Sequence, residues 1–97
     1  MELPIHKLKV PDDVAALVRT MHPELKRKIK LCLQMILSNP HRGKALRDEL
    51  EGLRSFRISR FRIVYRMSPR KQIDIIAIGP RESIYEETLR LISKKKK

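Results

Sequence analysis

The chain has 97 residues, room for one domain and not two. It carries 23 Lys and Arg against 11 Asp and Glu, a net +12, and a charge this large favours a polyanionic partner; a solvated basic surface is the plain alternative. Cys32 alone excludes an internal disulfide, the scattered His6, His22 and His41 offer no metal-ligand spacing, and neither a signal peptide nor a membrane-spanning apolar run is read, so a cytoplasmic protein without metal or cofactor is expected.

The charge is lopsided. Met1 to Leu53 holds 10 basic and 7 acidic residues, and Arg54 to Lys97 holds 13 and 4. Trp is absent and the aromatics are Phe56, Phe61, Tyr65 and Tyr85, too few for a base-stacking platform of the kind that single-strand binders use.

In chain order, Pro4 to Val10 reads as a short strand. Pro11-Asp12-Asp13 is a helix start, and Val14, Leu17, Val18 and Met21 follow at helical spacing. Pro23 suits the first turn of a second helix, which Leu25, Ile29, Leu33 and Ile36 carry up to the stop at Asn39-Pro40. Cys32 falls in this apolar stretch, where an inert thiol is expected. Lys44 to Glu51 reads as a short helical or turn segment ended by Gly52.

The pattern then changes to period two. Phe56 and Ile58 flank Arg57, and Phe61, Ile63, Tyr65 and Met67 alternate with Arg60, Arg62, Val64 and Arg66, as in strands with one packed and one polar face. By that parity Arg60, Arg62 and Arg66 share a face, while Tyr65 belongs to the core with Phe61 and Ile63. Ser59-Arg60 and Ser68-Pro69-Arg70-Lys71 are the turns. Ile73 to Ile78 is nearly continuous aliphatic, as a strand covered on both faces would be. Gly79-Pro80 ends it. Ile84, Tyr85, Thr88, Leu89, Leu91 and Ile92 then supply one side of a last helix, and Lys94–Lys97 reads as a frayed basic tail. The predicted fold is α+β over residues 1–93: a strand, a helical hairpin, an antiparallel sheet of about four strands in all, and a C-terminal helix.

No nucleophile constellation and no Gly-rich phosphate loop is present; the glycines are Gly43, Gly52 and Gly79 only. What remains is arginine. Arg54, Arg57, Arg60, Arg62 and Arg66 string along the hairpin and Arg81 follows the next strand. Guanidiniums bind phosphate bidentately and keep their charge. Several on one face repel one another unless an anion meets them, so a phosphate-binding surface is one reading and a solvated sheet face the other.

The run LRSFRISRFRIVY from Leu53 to Tyr65, followed by an aliphatic strand and by Gly79-Pro80-Arg81-Glu82-Ser83-Ile84-Tyr85, resembles the RelE/ParE toxin superfamily, and the two preceding helices extend the likeness over nearly the whole chain. Within it the chain looks like the RNA-cleaving RelE branch. The resemblance implies a type II toxin that cuts messenger RNA in the ribosomal decoding site without metal and is held in check by an acidic antitoxin protein. It implies catalytic roles for Arg62, Arg81 and Tyr85, and RNA-phosphate contacts for Arg54, Arg57 and Arg60. The chain departs from the family's pattern at Phe61, where Tyr is usual, and in having no lysine between Leu53 and Arg70.

That departure bears on the chemistry. Metal-free RNA cleavage needs a base for the 2′-hydroxyl, positive charge on the crowded phosphorus, and an acid for the leaving 5′-oxygen. Arginine supplies the charge but holds its proton too tightly to be a base. Tyr85 is the remaining group for proton transfer, with a packing role as its alternative. Two other readings stay open: a ParE-like toxin acting on gyrase, and a basic RNA- or ribosome-binding module without activity.

Overall fold

The computed structural model describes residues 7–95. Five strands form one sheet in the order β1-β5-β4-β3-β2. They are β1 (Lys7–Lys9), β2 (Lys44–Ala45), β3 (Leu53–Ile58), β4 (Phe61–Ser68) and β5 (Gln72–Pro80). Three helices accompany them: α1 (Asp12–Arg19), α2 (Pro23–Ser38) and α3 (Ile84–Lys95).

The α+β class and the element order follow the sequence reading, with two differences in the sheet. The extra strand is β2, two residues inside the segment read as helix or turn; Lys44 pairs with Ser55 and Ala45 with Arg54, and a 3-10 turn over Asp48–Leu50 follows. Two residues are too short to show any periodicity, so only pairing reveals them. The sheet is also mixed, because β1 runs parallel to β5; a parallel neighbour needs a long crossover, and the helical hairpin lies in the chain between them. The expected start of the first strand at Pro4 lies outside the described residues.

The helices cover both faces. Val14, Ile29 and Ile36 of α1 and α2 pack on Ile58, Ile63, Tyr65, Ile73, Ile75 and Ile78. On the opposite face Ile84 of α3 meets Leu46, Leu53, Val64 and Ala77. The strand β5 serves both layers, which explains its unbroken aliphatic run. Val64 pairs with Ala77 but Tyr65 with Ile75, so a bulge leaves Ile76 as the extra residue, and it packs with the α3 cluster. The polar face read for β4 is consequently half covered, because α3 lies across it.

Local chemistry agrees with the boundaries. Asp13 takes the Val14 N–H at 2.9 Å in the first turn of α1. His22 caps α2 by accepting the Glu24 N–H at Nδ1, 3.1 Å. Cys32 is half-buried, and burial pushes its thiol up, away from nucleophilic use.

Tyr65 ties the loop after α2 to the sheet. It is 0% exposed; its hydroxyl donates to the Pro40 carbonyl at 2.7 Å and accepts the Gly43 N–H at 2.9 Å. Burial pushes its phenol up, outweighing the Gly43 N–H and the nearby Arg54 charge. Any side chain at Gly43 would run into the Tyr65 hydroxyl. Tyr65→Phe keeps the ring and leaves both loop groups unpaired in the interior, so it should lower unfolding free energy by about 1–3 kcal/mol, read from urea melts with unchanged slope.

Candidate active site

A two-residue turn brings the arginines together. Ser59 adopts φ 56°, the left-handed backbone that tight hairpins need, and Ile58 pairs with Phe61 across it. The register then sets Arg57 directly opposite Arg62, and Arg62 opposite Gly79 on the next strand. Arg60 lies in the turn itself, so it does not share the strand face with Arg62 and Arg66 as parity suggested; β4 begins one residue later. Its carbonyl accepts the Arg81 N–H at 2.8 Å. Arg57, Arg60, Arg62 and Arg81 therefore gather at one end of the sheet.

The remaining two arginines are employed elsewhere. Arg54 stands across from Tyr65, on the α2 side, and donates to the carbonyls of Gly43 at 2.7 Å and His41 at 3.3 Å. It clamps the loop after α2 and lies on the other face of β3 from Arg57. Arg66 pairs with Asp74 at 3.2 Å. Burial raises that carboxyl, but hydrogen bonds from Ser68, Gln72 and Arg66, with the Arg66 charge, hold it below its ordinary range. Among the described residues the ion pairs are this one and Arg27–Glu24, so the gathered arginines have no carboxylate partner within 4 Å.

The helix α3 completes the site from above. Tyr85, in its first turn, is half-buried, and the Arg62 guanidinium lies 5.9 Å from its ring centroid, a cation–π distance. Both converge on Ser55: an Arg62 N–H donates to Ser55 Oγ at 2.8 Å, and the Tyr85 hydroxyl meets the same oxygen at 3.2 Å. Arg81 is exposed in the turn ahead of α3, which starts at Ile84. Arg81 and Tyr85 are thus not successive residues of one helix face; the chain reversal between β5 and α3 sets their relation.

Two groups escaped the sequence reading. Ser55 has no histidine near it in the sequence to mark it; its signal is a small hydroxyl residue at an inward position of a strand. Glu87 is the other. One of its carboxylate oxygens stands 3.4 Å from where a Cβ on Gly79 would lie, over the residue that faces Arg62. A groove of about 760 Å³ opens beside Tyr85 between α3 and the β2 region, with Lys44, Arg47 and Glu86 among its lining residues. Among the described residues no three His, Cys, Asp or Glu side chains gather as metal ligands, and no helix is long and apolar enough to cross a membrane.

Residues 8–85 match the family described as the ParE toxin of the type II toxin–antitoxin system parDE. The chain belongs to this toxin family. The RelE toxin of Mycobacterium tuberculosis is 44% identical over 52 residues, 52% of this chain and 54% of that protein; the chain spans about half the length of that curated relative. The fold is that of solved RelE toxins. A free Escherichia coli RelE mutant superposes with a TM-score of 0.72 at 18% identity, covering 89% of this chain and 96% of that one. A toxin–antitoxin complex of M. tuberculosis, RelBE2, gives 0.69 at 22%, covering 81% and 100%. The archaeal RelE–RelB complex of Pyrococcus horikoshii gives 0.66 at 16%, covering 79% and 96%.

The toxin keeps Arg57 opposite Arg62 at some cost, since like charges directly across a strand pair are destabilising. Arg57→Gln should raise stability by roughly 0.2–1 kcal/mol at low ionic strength, and the gain should fade as salt screens the pair. Paired thermal melts at low and high salt test this; a variant less stable than the parent at every salt would show that the pair is not repulsive.

Proposed function

We propose that this toxin is an endoribonuclease that cleaves messenger RNA, in the decoding site of the ribosome, with Arg62, Arg81 and Tyr85 as its catalytic residues. The carrying observation is that Arg62 and Tyr85, from β4 and α3, meet on one hydroxyl beside the unpaired Arg57. A surface that only holds nucleic acid needs charge, and a surface that only holds a protein needs shape. A hydrogen-bonded phenol against a guanidinium is an arrangement suited to proton transfer beside a phosphate.

In this reading Arg62 and Arg81 hold the scissile phosphate and meet the charge that grows on its oxygens. Tyr85 serves the 2′-hydroxyl. Arg57 and Arg60, exposed at the same end, take neighbouring phosphates. Arg54 contributes by holding the loop after α2, because its guanidinium is engaged there. No lysine is needed on the hairpin if the phenol handles the proton, and Glu87 is the competing group for that role. Guanidiniums offset the negative charge on the phosphoryl oxygens, so the reaction proposed runs without metal or cofactor. The family description names ParE, so the alternative reading is a ParE-like toxin that acts on gyrase instead of RNA; a gyrase supercoiling assay separates the two.

Arg62→Ala and Arg81→Ala should each lower cleavage by about 10²–10³, the usual loss for one preorganised donor, with circular dichroism unchanged. Tyr85→Phe should lower single-turnover cleavage at least about tenfold without comparable loss of RNA affinity. Primer extension on a translated message reads all three. A fully toxic, folded Arg81→Ala protein would remove Arg81 from the site, and parent-rate cleavage by Tyr85→Phe would return that residue to packing.

The partner follows from the same charge. An acidic antitoxin, partly disordered until bound, should neutralise the toxin by covering the arginine end; the RelE toxins of M. tuberculosis and P. horikoshii were solved in complexes with an antitoxin. Hydrogen exchange of the complex should show protection around Arg57, Arg62 and Arg81. Those positions left open in a neutralised complex would mean inhibition from a distance.

A further inference from the structure

Ser55 is a polar residue in an aliphatic place. It is 2% exposed, its cross-strand partner is Val64, and Leu53, Val64, Ala77 and Ile84 make the apolar cluster on that face. A buried hydroxyl is destabilising unless it is hydrogen-bonded, and a β-branched residue would suit the strand better. Its two side-chain partners are Arg62 at 2.8 Å and Tyr85 at 3.2 Å, which come from different elements and hold the chemistry proposed above.

We propose that Ser55 is a positioning residue of the cleavage reaction, whose hydroxyl sets Arg62 and Tyr85 relative to each other and returns a hydrogen bond to Tyr85 whenever that phenol is without its proton. The inference rests on the nuclease reading. Its basis is valence. A hydroxyl has one proton and two lone pairs, and a guanidinium can only donate. Arg62 therefore occupies one lone pair of Ser55 Oγ, and the bond to Tyr85 can run in either sense. With Tyr85 protonated, the phenol donates to the second lone pair. With Tyr85 ionised, the serine proton turns toward the phenolate, and donation from Arg62 polarises that O–H into a stronger donor.

In the second state the phenolate takes the proton of the 2′-hydroxyl. The 2′-oxygen bonds to phosphorus, the bond from phosphorus to the 5′-oxygen breaks, and that oxygen gains a proton from solvent. The products are a 2′,3′-cyclic phosphate and a 5′-hydroxyl. Tyr85 ends protonated, the serine proton rotates away and the hydrogen bond reverses, with no heavy atom displaced. Proton release from Tyr85 to solvent restores the start.

The test compares the parent with Ser55→Ala, Ser55→Thr, Tyr85→Phe and the Ser55→Ala/Tyr85→Phe pair in single-turnover cleavage of a message on programmed ribosomes. Ser55→Ala should slow cleavage by about 10–100-fold, a fraction of a full acid–base contribution, while RNA affinity changes less than about threefold. Ser55→Thr, which keeps the hydroxyl, should restore most of the rate. The double variant should lose clearly less than the product of the two single losses, because the serine's contact with the phenol is already gone in Tyr85→Phe. A parent-like rate in Ser55→Ala, no rescue by Ser55→Thr, or losses that add in the double variant would overturn the proposal. A stability cycle on the parent, Ser55→Ala, Tyr85→Phe and the double variant reads the contact without activity: coupled losses support it and additive losses overturn it. A parent toxin that cuts no RNA on ribosomes defeats the nuclease reading, and the stability cycle still decides whether Ser55 holds Tyr85.

Discussion

The register of β3 on β4 is set by a turn of two residues, Ser59 and Arg60, and side chains in a strand pair change face with every residue. Moving that turn by one position would carry Arg57 and Ser55 to the α2 side and expel Phe56 and Ile58 from the core. The aliphatic positions on the hairpin's α2 face therefore enforce the arginine arrangement on its α3 face. Burial of those residues is what keeps two guanidiniums opposite each other despite their repulsion.

The two faces of the sheet have divided duties. The side under α1 and α2 is a packed layer in which the one phenol, Tyr65, is fully hydrogen-bonded and serves the loop after α2. The side under α3 is packed at Leu53, Val64 and Ala77 and turns polar toward the Ser59-Arg60 turn. Alternation along β5 lets it support both layers, and the bulge at Ile76 adds a residue on the α3 side. At the polar end three chain segments meet: the β3–β4 hairpin, the exit of β5, and the first turn of α3. Gly79 has no side chain there, which leaves room for Ile84 and Glu87 to close over the strand. Like charges are kept together at that end against stability, which fits the function proposed above.

Much of this was legible from residues in order. The 3.6-residue spacing from Val14 to Met21 and from Leu25 to Ile36 marks two helices, since each must bury one stripe. The alternation from Phe56 to Met67 marks two strands and assigns Tyr65 to the core. Counting back from the Ser59-Arg60 turn even sets Arg57 across from Arg62. These features depend on near neighbours along the chain, and local pattern records them. The family resemblance rested on the same hairpin and on the spacing of Arg81 and Tyr85.

Tertiary structure alone decided the rest. The two-residue β2 exists only because β3 offers it partners. Arg54 and Arg57 look alike in sequence, yet one clamps a carbonyl pair on the α2 side and the other is open on the α3 side, because three residues of separation in a strand invert the face. Arg66 resembles Arg62 by parity, yet Asp74 is opposite it and neutralises it. Tyr85 and Ser55 lie thirty positions apart; no periodicity relates them, and only the passage of α3 over β3 makes the serine hydroxyl their meeting point with Arg62. The sequence by itself determined which elements form and where the charge accumulates, through spacing and composition. Which of those charges are free, and which hydroxyls they meet, was decided by the packing of α3 on the sheet, a long-range choice written in no single segment.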